Sequence, residues 1–90
     1  MQHFKKWLTK KTTLSKKSIS NYVNAMNTVQ KNLVSRSMLN VSIDEIKEVE
    51  QLEQLKIEYF SIKKYKDQDI RGRNMYNAAF NRYINYMKNK

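Results

Sequence analysis

The residues that could do chemistry are few, and most fail a direct test of the letters. Glu45, Ile46 and Lys47 match the second half of a nuclease motif that gathers acids and a lysine around a divalent metal. No Asp or Glu precedes Asp44, so the first half has no acid to supply it. His3 is the only histidine and sits near the terminus, where an exposed side chain is its simplest reading. One histidine builds neither a histidine and metal nuclease site nor a Ser-His-Asp hydrolase. With no cysteine, disulfides, thiolate nucleophiles and cysteine-held metals fall away together. Catalysis by this chain alone is not expected, and no catalytic residue, metal ligand or cofactor is assigned.

Cations beside hydroxyls and amides are the better lead. Lys16 and Lys17 stand between Ser15 and Ser18 at the start of an apolar repeat. A helix start presents free backbone N–H groups and a partial positive charge, which suit a phosphate and mildly disfavour lysine. Arg71 and Arg73 flank Gly72 before the last apolar repeat, with Asn74 and Asn77 able to donate to sugar or base edges. Lys10 and Lys11 read either as a third patch or as a solvated helix end, and Lys88 and Lys90 as terminal charges.

The elements that must position these groups read as helices, since there is no proline and one glycine to turn a meander of strands. Phe4, Trp7 and Leu8 predict a first helix over about 2–10, broken by Thr12 and Thr13. Ser15 can cap a second, with Leu14 placed to pack on Ile19 as a hydrophobic staple. Its buried side reads Ile19, Tyr22, Met26, Val29, Leu33, and it is expected from Ser15 to about Arg36. Ser42 and Glu45 resemble a capping box opening a short turn. Val49, Leu52, Leu55, Tyr59 and Ile62 predict a third helix, with Lys63, Lys64 and Lys66 complementing the negative dipole at its end. Tyr76, Ala79, Phe80, Tyr83 and Met87 mark the last, starting at Asp67, Asp69 or Asn74 and reaching Met87. The Met and Tyr stripes, at helical spacing, read as core rather than as stacking platforms.

The 90 residues, about 40% apolar, suffice for one domain and not two. The expected fold class is all-α, a bundle of four helices or five counting the short turn. No apolar run approaches the roughly 18 residues of a membrane span, and no stretch has signal-peptide character. A cytoplasmic protein is expected. The formal charge of +10 is unevenly spread. Residues 1–40 hold eight basic groups and no acid, 41–60 hold six acids against Lys47 and Lys56, and 61–90 hold eight basic groups against Asp67 and Asp69. That pattern predicts a polarised domain with one face attracting phosphate. A lysine-rich, AT-rich genome is the plainer source of the same excess.

Leu14 to Met26, LSKKSISNYVNAM, resembles the opening of the core-binding, SAM-like domain of phage integrases and other tyrosine recombinases. Arg71 to Tyr83, RGRNMYNAAFNRY, is similar to a closing segment in N-terminal regions of bacterial restriction endonucleases, relatives of the McrB type included. The resemblance spans nearly the whole chain and contains no catalytic signature. Ser18 stands where threonine is usual, which keeps a hydroxyl, and Asn77 where serine is usual. The resemblance implies a non-catalytic module gripping one face of double-stranded DNA, with catalysis in a separate domain of a longer chain. The candidate DNA contacts are therefore Ser15, Lys16, Lys17, Ser18 and Asn21 at one helix start and Arg71, Arg73, Asn74 and Asn77 at the other. The competing expectation is a protein-interaction domain that uses the acidic third helix or the basic surface. An RNA-binding helical module ranks behind both, for want of exposed aromatics.

Overall fold

Thr12 closes the first helix, α1 (Gln2–Lys11), by donating both its amide and its hydroxyl to the carbonyl of Leu8, at 3.2 and 2.6 Å. Three residues later Ser15 opens α2 (Lys16–Ser35), its Oγ accepting the amide of Ser18 at 3.1 Å. Such a cap contributes about 1 kcal/mol. The computed structural model describes all 90 residues, and it contains helices and turns without a strand. Leu14 is half-buried against the core and Ile19 is buried, in keeping with the staple. Met26, Val29 and Leu33 are fully buried, and Ala25 joins them, whereas Tyr22 is only half-buried.

The end of α2 is a Schellman turn. Ser37 adopts a left-handed φ of 59°, its amide bonds the carbonyl of Val34, and the amide of Met38 reaches back to Leu33 at 2.9 Å. A 3-10 turn, Ile43–Glu45, follows, in which the Ser42 amide donates to Glu45 Oε2 at 3.1 Å. Gln30 of α2 holds this turn through its Oε1, which accepts from the Ile43 amide and the Ser42 hydroxyl.

The third expected helix divides in two, and the lysine assignment changes with it. α3 (Val49–Ser61) stops at Ile62, whose ψ of 119° is extended, and α4 (Lys63–Arg71) starts at once. Lys63, Lys64 and Lys66 therefore lie in the first turn of α4, not the last of α3. Their sign there is unfavourable to the dipole, and only the 2.9 Å pair of Lys63 with Asp67 offsets it. What imposes the break is aromatic packing. Tyr59 and Tyr65 stack with centroids 4.5 Å apart and planes within 5°. Six residues along an unbroken helix rise about 9 Å, so that stack requires a bend.

The last helix, α5 (Met75–Asn89), is the centre of the bundle and packs on α1, α2, α3 and α4. Ala79, Phe80 and Tyr83 are wholly enclosed, with Ile84, Tyr86 and Met87 nearly so. Phe4 of α1 meets Tyr83 edge-on at 5.3 Å, and Trp7 lies 5.7 Å from Tyr86. The acid-free pair α1 and α2 packs on α5, as do α3 and α4, so α5 lies between the two pairs.

Burial lifts the phenol of Tyr83 well above its ordinary value, reinforced by Asp44, whose Oδ1 accepts the Tyr83 hydroxyl at 2.8 Å. Burial also raises Tyr59, partly countered by the bond that Asn32 donates to its oxygen, and it raises Tyr86. Groups with a raised folded-state value favour folding below the unfolded value, near 10 for tyrosine, and that contribution is lost as pH rises beyond it. Urea midpoints should fall above about pH 10. Tyr83→Phe should make that alkaline fall shallower. Equal slopes in both proteins would exclude Tyr83 as its source.

Candidate nucleic-acid interface

At the start of α2, Ser15 and Ser18 occupy each other. The Ser15 hydroxyl donates to Ser18 Oγ at 3.1 Å while accepting the Ser18 amide. The amides of Lys16 and Lys17 have no partner within the chain. Both lysines are exposed and neither joins an ion pair. This helix start thus keeps two backbone donors and two ammonium groups open to an external anion.

The second start differs. Asp69, in the last turn of α4, is only 6% exposed, and its Oδ1 accepts the amide of Asn77 at 2.9 Å. An internal carboxylate already sits where an anion would meet the α5 dipole, which leaves only the side chains of Arg71 and Arg73 as cations at this start. Both are exposed and outside any ion pair. In the sequence Asp69 enters only the charge balance and the possible starts of the last helix, and no periodicity flags a carboxylate that caps an amide eight residues on.

Between the two helices Gly72, Arg73 and Asn74 form a second Schellman turn. The amide of Arg73 bonds Ile70 and that of Asn74 bonds Asp69, at 3.1 and 2.7 Å. Glycine is usual at the left-handed residue of this motif, yet Arg73 holds it with φ 57°, followed by Asn74 at 63°. Gly72 comes one position earlier at an ordinary φ of −88°. Its requirement is space, since an added Cβ would lie 3.3 Å from both the Gln68 carbonyl and the Tyr76 ring. Arginine in the left-handed region costs on the order of 1 kcal/mol, a cost that glycine would avoid.

The α4 to α5 corner meets α2 at a cleft of mixed lining, about 310 Å³, with Asn21, Asn24, Ala25 and Thr28 on one side and Gly72, Met75 and Tyr76 on the other. Asn21 is thereby brought to the corner, and it lies four residues after Lys17 on one exposed face of α2. Asn74 and Asn77 line a shallower hollow of about 410 Å³ with Ala78 and Asn81.

Two cationic features were missed. Arg82 places its guanidinium 5.1 Å from the Tyr22 ring, tying α5 to α2 beside this region. On α1, Gln2, Lys5, Lys6, Thr9 and Lys10 form one exposed face that carries three lysines. That face was legible, because these positions are the polar complement of Phe4 and Leu8. Arg36 is engaged elsewhere, its Nε donating to the Tyr65 hydroxyl at 3.1 Å. No three acidic or histidine side chains gather closely enough to hold a metal ion, and no helix is long and apolar enough to cross a membrane.

Fold and surface together define a basic, all-helical domain of five helices. No protein-family model, curated protein or solved structure matches the chain.

Proposed function

We propose that the chain is a non-catalytic module that binds double-stranded DNA, of the SAM-like core-binding type, either as the N-terminal domain that positions a restriction-type endonuclease or as a stand-alone relative of integrase core-binding domains. One observation carries the reading. The seven lysines of residues 1–40 are all exposed on or beside two packed helices, without an acid among those residues or an ion pair to any of them. Such a surface repels itself and is offset by a polyanion. The open helix start at Lys16 and Lys17 suits a phosphate oxygen, and Arg73 in a position that favours glycine gains nothing for the fold. The resemblance of Leu14 to Met26 and Arg71 to Tyr83 to DNA-gripping modules supports the same partner.

The test is a titration of a labelled duplex at two salt concentrations. If Lys16, Lys17, Arg71 and Arg73 each engage one phosphate, the log–log slope is about −3.6, a loss of roughly 150-fold between 0.05 and 0.2 M salt. Weak, salt-insensitive binding, or ready displacement of the duplex by an acidic protein, would favour the protein-interaction alternative instead.

A further inference from the structure

Asparagine is a poor helix former, yet α5 carries Asn77, Asn81, Asn85 and Asn89 at four-residue steps, with Asn74 just before it. Four-residue spacing aligns these side chains along one edge of the helix. Their first members are hydrogen-bonded into a directed chain. Lys56 of α3 donates its ammonium to Asn81 Oδ1, and Asn81 Nδ2 donates to Asn77 Oδ1 at 3.2 Å. The Asn77 backbone amide is meanwhile held by buried Asp69. Asn77 is thus fixed from two sides, while its Nδ2 and the second lone pair of its Oδ1 make no bond within the protein. Ala78, small and half-buried, leaves the hollow in front of it open.

The surroundings suit a nucleic-acid groove. A reading edge needs neutral donors and acceptors in its middle and cations at its flanks, where the two phosphate strands run. Arg71 and Arg73, both exposed, precede the asparagines on one flank, whereas half-buried Lys56 is bound to Asn81 and Lys88 is neutralised by Glu53 at 3.4 Å. From Asn74 to Asn81 the helix rises roughly 10 Å, within the ~12 Å width of the major groove. A carboxamide pairs bidentately with adenine N6 and N7.

We infer that the Asn77 edge of α5 reads a base in the major groove, with adenine as the preferred partner, and that Asn81 and Lys56 are positioning residues that orient the Asn77 carboxamide. This rests on the duplex-binding reading and adds to it the element that reads sequence.

The experiment selects duplexes with a randomised core on the full chain at low salt and sequences the bound fraction. The wild type should enrich adenine at one position by about tenfold, the discrimination expected of one bidentate pair. Asn77→Ala should abolish that preference while leaving the salt slope unchanged, since no charge is removed. Asn81→Ala should weaken the preference in the same direction, a readout that a merely structural role would not move. Both variants should melt no lower than wild type, since alanine is the better helix former. Duplex binding without any base preference, or a preference that survives Asn77→Ala, overturns the inference and leaves the duplex reading standing. Absence of duplex binding in the wild type overturns both.

Discussion

Changing Lys16 and Lys17 together to glutamine should lower affinity for every duplex sequence by roughly 30-fold at 0.15 M salt, the counterion release of two phosphate contacts. The salt slope should flatten by about 1.8 units in the same variant, because each lost contact removes ~0.9. Both side chains are exposed and unpaired, so stability should stay within about 1 kcal/mol of wild type. Removing two cations from a helix start even relieves a small dipole conflict. Arg73→Gln should show half the slope change, unless it contacts a base edge, in which case one sequence position also loses preference. Unchanged affinity and slope in the double lysine variant would sink the helix-start mechanism, even if duplex binding persisted through another face such as the lysine-bearing face of α1.

Phe80→Ala should be the most damaging single change to the fold. The ring is wholly buried on the central helix, with Phe60 edge-on at 6.4 Å. Emptying such a site costs about 3–5 kcal/mol, about a quarter or more of the roughly 5–13 kcal/mol expected for a chain of this length. At about 4–8 °C per kcal/mol the melting temperature should fall by at least ~12 °C. Ile57→Ala, at a residue 64% exposed, should leave the melt nearly unchanged and serves as the contrast. Equal melts for the two variants would place the α5 stripe outside the core.

What was legible in the chain was what periodicity and local caps encode. Ser15 and the Ile19 to Leu33 repeat located α2 to within a residue, because a hydroxyl cap and an apolar stripe are properties of neighbouring letters. The Phe80 and Tyr83 stripe was legible for the same reason. The division at Ile62 was not, since apolar spacing runs on from Tyr59 through Ile62 to Tyr65 without glycine or proline to mark a stop. Only the stacking of Tyr59 on Tyr65, and Arg36 reaching Tyr65 from the far end of α2, create the bend. The candidate contacts divide likewise. Exposure of Lys16, Lys17, Arg71 and Arg73 followed from their place outside the apolar stripes. The capping of α5 by Asp69, and the meeting of Asn21 with the corner at Gly72, depend on how α2 and α5 cross, which no local pattern states.

The central place of α5 bears on the order in which the molecule can be made. During synthesis at roughly 5–20 residues per second, α1 to α4 leave the ribosome before the helix on which all four pack. α1 can then meet only α2, and α3 only α4, without the larger surface of α5, and short isolated helices are marginal in water. The nascent chain therefore spends roughly 3–11 s or more with Phe4, Leu8, Met26 and Leu33 incompletely covered, until residues 75–89 arrive and close the bundle. The strong excess of lysine over acid in the first forty residues keeps such waiting chains apart by mutual repulsion.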